Sequence, residues 1–326
     1  MHCNWRLLAS GAVAASVVMS LVACDAPGRH GGKTLVVTTV APLTDIARNV
    51  AGRAADVEGV IPEGADSHTF EPTPSTARML ADADLILVNG LDLEQSIVQL
   101  ARANHGPGVE IYSLGDHTVT TSQRIYDFSF PRSGGKPNPH LWMDVALAIR
   151  YAELMREQIA KADPRHAAQY RRNTAMYVRT LRSLDDAVSR AVDTIPPPNR
   201  VLLTYHDSFA YFARHYGMRV IGAIQPSDFA EPSAREVARL IDQIRTTGVP
   251  AIFGSEVFPS PVLAEIAQET GAKYEDTLRD DDLPGHPGET RHSYAGLIEY
   301  DVSTMVRDLG GNPAALESVQ FTNRYD

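Results

Sequence analysis

The chain has 326 residues, 44% of them hydrophobic and 21% charged, with 30 basic and 40 acidic side chains, two cysteines and eleven histidines. That length suits two domains, and the composition is that of a folded globular protein. A net charge of −10 excludes a surface that gathers nucleic-acid backbones, and two cysteines exclude a disulfide framework or a four-thiolate metal site.

Arg6 is the only charged side chain before Asp25, and residues 7–23 carry no charge. Seventeen apolar and small residues are short for a membrane span and suit the core of an export signal. The run ends in Leu21-Val22-Ala23-Cys24, which resembles the lipobox of bacterial lipoproteins. Residues 1–23 are therefore expected to be a signal peptide, Cys24 the lipidated first residue, and 24–33 a flexible tether. Removing 1–23 takes away one arginine and no acid, so the mature chain is one unit more negative. A plain secretory signal or an anchor helix is the competing reading.

From residue 34 onward, strands and helices alternate. Short β-branched or apolar runs predict strands at 35–40, 57–61, 85–88 and 109–112. Between them helices are expected at 43–51, 73–83 and 93–103, the first after Pro42. Residues 115–139 lack periodicity and read as one long loop. An amphipathic helix follows at 144–161. A second, from about 164 to 194, carries one apolar stripe through Tyr170, Tyr177, Leu181, Leu184, Val188 and Ala191. Pro196-Pro197-Pro198 stops it. The alternation resumes with strands at 201–204, 219–223, 250–253 and 272–275, helices at 207–216, 233–247 and 260–270, and a last helix at 293–309. Repeated βα units predict an α/β fold with parallel sheets. The expected division is a lobe at 34–163, a connecting helix at 164–198 and a lobe at 199–326.

The sequence has no Gly-x-Gly-x-x-Gly, no phosphate-binding loop, no Gly-x-Ser-x-Gly and no His-Glu-x-x-His. Attention then falls on histidines near strand ends. His206 follows strand 201–204 at the end where open α/β sheets place ligands, and Asp276 follows strand 272–275 in the same way. His68 lies in the turn after strand 57–61. His140 sits in Asn138-Pro139-His140-Leu141-Trp142, just before a helix. A single histidine is more often a surface or satisfied residue than a ligand. Three imidazoles and one carboxylate, however, would make a closed shell for zinc, and only two facing lobes could bring them together.

At these residues the sequence resembles a known family. His68-Thr-Phe-Glu71-Pro72-Thr-Pro74, Asn138-Pro-His140-Leu-Trp142-Met-Asp144, Thr204-Tyr-His206-Asp207-Ser-Phe-Ala-Tyr211-Phe212 and Tyr274-Glu-Asp276-Thr-Leu278 resemble, in order, the metal-binding motifs of zinc/manganese substrate-binding proteins of ABC importers. Phe253-Gly-Ser-Glu256 is similar to that family as well. The resemblance implies two βα lobes joined by one long helix, with the metal in the cleft between them. It implies His68, His140, His206 and Asp276 as ligands. It also implies capture outside the membrane, in the periplasm or at the cell surface, by a lipid-anchored monomer that delivers its metal to an ABC permease without catalysis.

Histidine at the third position, His206, favours Zn2+ over Mn2+, because manganese prefers oxygen ligands. Manganese remains the alternative cargo, and a surface adhesin with a structural metal or a secreted zinc hydrolase are alternatives of another class. Loop 115–139 lacks the histidine-rich stretch of many zinc members. Asp280-Asp281-Asp282 with His286, Glu289 and His292 reads either as a solvated acidic loop or as an auxiliary capture segment. Glu71, Asp144 and Asp207 are candidates to orient the imidazoles, and Trp142 and Phe212 to wall off water.

Overall fold

Thr34–Thr38 (β1) is apolar on both faces and buried along its whole length, as a central parallel strand must be. The structure is a computed structural model and describes residues 32–225, 232–255, 261–320 and 322–325. The expected signal peptide, Cys24, the tether up to residue 31 and Glu256 lie outside the described residues.

Ala41–Ala51 (α1) follows with Pro42 in its first turn and Gly52 at its end, at φ 59°. Ala55–Gly59 (β2), Pro74–Asp82 (α2), Leu85–Val88 (β3), Gln95–Asn104 (α3) and Glu110–Ser113 (β4) complete the first lobe. Its four strands are parallel in the order β2-β1-β3-β4. Thr73 starts α2 by accepting from the Thr76 amide. The loop expected at 115–139 contains one short helix, Leu114–Thr118 (α4), and two three-residue turns. Asp144 then caps Val145–Ala162 (α5), accepting from the Ala146 amide.

The long connecting helix is Ala167–Val192 (α6), preceded by a three-residue turn at 164–166. Its stripe of Tyr170, Tyr177, Leu181, Leu184 and Val188 is buried against α5 and α1. The second lobe repeats the topology of the first. Val201–Thr204 (β5), Ala210–Tyr216 (α7), Arg219–Ala223 (β6), Ala234–Thr247 (α8), Ala251–Phe253 (β7), Pro261–Thr270 (α9) and Lys273–Glu275 (β8) form a parallel sheet in the order β6-β5-β7-β8.

The chain then returns. Tyr294–Asp308 (α10) packs on α6 and α1, and Ala314–Glu317 (α11) packs on α6. The Tyr294 amide donates to Asp45 of α1 at 2.9 Å, and the Tyr325 hydroxyl donates to the same carboxylate. The segment expected to form one lobe at 199–326 is therefore split in space. Its last two helices leave the second sheet: α10 packs on α1 and α6 and α11 on α6, with Leu297, Ile298, Val302, Met305 and Val306 in the main core that those helices share.

Candidate metal centre

The candidate residues come from loops that follow strands of both sheets, and those loops meet. His68 lies in the loop after β2, and His206 stands two residues beyond β5. His140 ends the aperiodic segment, with Pro137 and Pro139 stiffening its approach. Their three Nε2 atoms converge: His68 to His140 is 3.2 Å, His68 to His206 is 3.2 Å and His140 to His206 is 3.0 Å. Donors held about 2.0–2.1 Å from a tetrahedral ion stand about 3.3–3.4 Å apart, so the spacing fits one cation.

The other ring nitrogens decide what the converging atoms offer. His140 Nδ1 donates to the Asn138 side-chain oxygen at 2.9 Å, and His206 Nδ1 donates to the Gln225 side-chain oxygen at 2.7 Å. Each amide holds a proton on Nδ1 and leaves Nε2 as a bare lone pair. The contact between His140 and His206 thus contains no proton and is not a hydrogen bond. Two lone pairs 3.0 Å apart repel unless a cation sits against them.

Burial keeps the rings in that state. His140 is fully buried and His206 nearly so. Desolvation, with the mutual field of the rings, holds His68 and His140 well below the usual histidine range, and desolvation lowers His206 despite the Gln225 hydrogen bond. The neutral imidazole is the metal-binding form. Phe130 covers the cluster, its centroid 5.7 Å from His68 and His140 and 6.4 Å from His206. Trp142 packs edge-on against His140 at 5.1 Å. Phe212 packs instead on Phe209 and Tyr216, as core.

Asp276 does not join the imidazoles. It is exposed, its Cα and Cβ lie against Gly254, and it is absent from the one group of His, Cys, Asp and Glu ligand atoms that converge among the described residues. The expectation rested on the end of β8, but the chain continues for several residues beyond that strand before crossing back. Asp280 comes nearer: it stands outside the group of three imidazoles as well, but it is 2% exposed, and one carboxylate oxygen lies 3.8 Å from His206 Nε2 with no hydrogen-bond partner. Its carbonyl accepts from the Trp142 indole at 2.8 Å, fixing the crossing segment to the first lobe.

The run Asp280-Asp281-Asp282 is buried and not a solvated loop. Asp281 accepts from the Ser67 amide at 3.0 Å, and Asp282 accepts from the Gly64 amide through both oxygens at 2.8 and 3.0 Å. His292 pairs with Glu63 at 3.0 Å. These contacts clasp the His68 loop to the crossing segment. Burial pushes the Asp280 and Asp281 carboxyls well up, so they gain from a nearby cation.

The carboxylates expected to orient imidazoles do other work. Glu71 is exposed. Asp207 accepts from the Ser129 amide at 3.2 Å, and its carbonyl accepts from Asn138 at 2.7 Å, which helps fix the amide that holds His140. Orientation falls to Asn138 and Gln225. The Asn-Pro-His spacing carries a signal for the first, but Gln225 reaches His206 from the end of the neighbouring strand, a contact no local pattern encodes. Gln225→Leu is expected to weaken metal binding about 10- to 100-fold by titration, with Gln225→Glu restoring it.

Asp144 caps α5 and also accepts from His215 Nδ1 at 2.6 Å, while Asp185 stands 3.8 Å from His215 Nε2. The Asp144 hydrogen bond raises the His215 pKa despite partial burial, and Asp185 adds to the rise. The resulting stability is fully present below the free-histidine value of about 6.5 and lost as pH rises through the folded-state value. The gap in melting temperature between the parent and His215→Asn is therefore expected to be wide at acidic pH and to close in alkali.

Comparison with known proteins agrees with this geometry. Residues 36–308 match the family described as ZnuA, zinc-uptake complex component A, periplasmic. The chain is 30% identical to the iron-binding protein YfeA of Yersinia pestis, covering 87% of this chain and 89% of that protein. It is 26% identical to the manganese-binding lipoprotein MntA of Halalkalibacterium halodurans, covering 84% and 88%. The solved periplasmic zinc-binding protein TroA of Treponema pallidum superposes with a TM-score of 0.77 at 29% identity, over 85% of this chain and 99% of that one. Two parallel α/β lobes, a long connecting helix and three convergent imidazoles thus accompany a family match across nearly the whole described chain: the protein belongs to the ZnuA family of periplasmic metal-binding components of ABC transporters, which are solute-binding proteins and not enzymes.

Proposed function

We propose that the chain captures Zn2+ outside the cytoplasmic membrane and hands it to an ABC permease, with His68, His140, His206 and Asp280 as ligands. The observation that carries this reading is the triangle of Nε2 atoms at 3.0–3.2 Å, with Nδ1 of His140 and of His206 each held by an amide oxygen. Three imidazoles favour zinc, whereas manganese draws on oxygen donors. Asp280 replaces Asp276 in the ligand set because it stands 3.8 Å from His206 Nε2 and its buried, unpartnered carboxylate oxygen costs free energy until a cation or proton meets it; Asp281, which also has such an oxygen and whose charge also acts on His206, is the next candidate.

The relatives named for iron and manganese keep a second reading alive, a manganese carrier of the same family. Metal analysis of protein from its native host, followed by zinc/manganese competition, separates the two. Zinc at one equivalent per chain is the expected result; manganese as the dominant native metal overturns the choice of cargo while leaving the site intact.

The Leu-Val-Ala-Cys24 segment supports removal of 1–23 and acylation of Cys24, and a relative named as a lipoprotein fits the same picture. Among the described residues no helix is long and apolar enough to cross a membrane. In this reading the protein is a monomer held to the membrane by its N-terminal lipid through the tether at 24–33.

A further inference from the structure

The solvent face of α6 carries a charge pattern that metal binding does not use. Arg171, Arg172, Arg179, Arg182 and Arg190 are all exposed. At about 100° per residue they fall within an arc of about 100°, along about 28 Å of helix. None of the five makes an ion pair among the described residues, a state they share with other arginines such as Arg78, Arg102 and Arg235; what sets them apart is that they lie on one line. Asp186 is the one acid within that arc. Asp185 is turned aside, accepting from the Tyr216 hydroxyl at 2.6 Å. Met176, one of two large apolar side chains exposed among the described residues, flanks the stripe. Like charges three residues apart, as at Arg179 and Arg182, destabilise a helix. A chain with ten surplus acids nevertheless keeps five unpaired arginines on one line.

We propose that this face of α6 rests on anionic phospholipid headgroups, so that the long helix lies along the membrane that anchors the protein. The guanidinium fork is suited to phosphate oxygens, and a convex row of long side chains with no pocket fits a fluid array of phosphates better than a shaped protein partner. The start of the described chain supports the placement. Lys33 lines one surface groove with Gly52, and Gly52 packs against Asn173, the residue after Arg172. Asn173 itself donates to the Val50 carbonyl at 3.1 Å. Nine residues from Cys24 to Gly32 reach at most about 30 Å, which keeps a lipid-bearing Cys24 within range of the stripe. The proposal therefore rests on the anchor reading for its orientation, but the contact itself can be read without it.

The test uses the secreted chain carrying Cys24→Ser, which has no acyl anchor, and sedimentation with vesicles. At low ionic strength it is expected to bind phosphatidylcholine vesicles that contain phosphatidylglycerol and not pure phosphatidylcholine. Binding should vanish near 1 M salt, where the screening length is about 3 Å. Each arginine is worth about fivefold in partitioning at an anionic surface, so Arg172→Glu/Arg179→Glu/Arg182→Glu is expected to lose at least about 100-fold. Zinc stoichiometry and melting temperature report that the variant is folded. Equal binding to both vesicle types, or undiminished binding of the folded triple variant, overturns the proposal. So does binding of the stripe to the permease in detergent with no affinity for the anionic vesicles. Mass spectrometry of the parent reports Cys24 acylation separately, so failure of the anchor reading is distinguishable from failure of the contact.

Discussion

His206→Ala is expected to reduce zinc affinity by at least about 100-fold, since a four-ligand zinc site provides about 10–16 kcal/mol and each ligand roughly 3 kcal/mol of it. His140→Ala should do the same. The fold of the empty protein should survive both changes, with melting temperature altered by only a few degrees. The two Nε2 lone pairs stand 3.0 Å apart with no proton between them, and in the empty protein they repel. Deleting one ring relieves that repulsion and offsets part of the cavity it leaves. Calorimetric titration with zinc, alongside thermal melts of the empty forms, makes the comparison. Stoichiometric tight zinc in the double variant would falsify imidazole ligation.

The pair Asp280→Ala and Asp276→Ala separates two assignments four residues apart. Asp280→Ala is expected to cost a ligand, again about 100-fold, and to speed zinc release by a similar factor. Asp276→Ala, at an exposed position beside Gly254, should change affinity by no more than about twofold. The opposite ranking would restore the acid next to β8 and remove the crossing segment from the site. Asp281→Ala tests the neighbouring acid: one oxygen accepts from the Ser67 amide but the other is buried without a partner, so a loss larger than that of Asp280→Ala moves the fourth ligand to Asp281.

Where the sequence speaks in local rules it is read well. The eight strands lie within two residues of their expected bounds, because short β-branched runs flanked by helix starts and glycine stops are local signals. Pro42 and Asp144 sit at helix starts for reasons their own side chains supply, and Gly248 ends α8 at φ 63°, a conformation open to a residue without one. The three histidines were legible for a mixed reason: strand-end position, proline-stiffened neighbours and ordered motifs together pointed to one cleft. The proposed fourth ligand is not. A rule that looks just past the strand selects Asp276, but residues 276–282 have no regular structure to transmit a register, so the position that reaches His206 depends on the path of the crossing. Three successive aspartates also read as solvated by composition alone. Their burial depends on backbone amides at Gly64 and Ser67, more than 200 residues away. The return of α10 to α1 is invisible for the same reason, since an apolar stripe states that a helix packs but not on which lobe.

That return has a topological consequence. The strands β5–β8 enter after α6 and leave before α10, so the second sheet is an insert threaded into a body whose two ends close on each other. One face of it, with Val201, Leu203, Ile221, Ile252, Leu263 and Ile266, forms a cluster distinct from the main one, while Leu202, Ala251 and Phe253 on the other face belong to the main core. An insert with one apolar face in a cluster of its own can open there at lower cost than the body. His206 belongs to that insert, and His68 and His140 to the body. A cation held by all three would then act as a removable rivet between the two parts, and its departure would be felt first in backbone amide exchange of the inserted sheet.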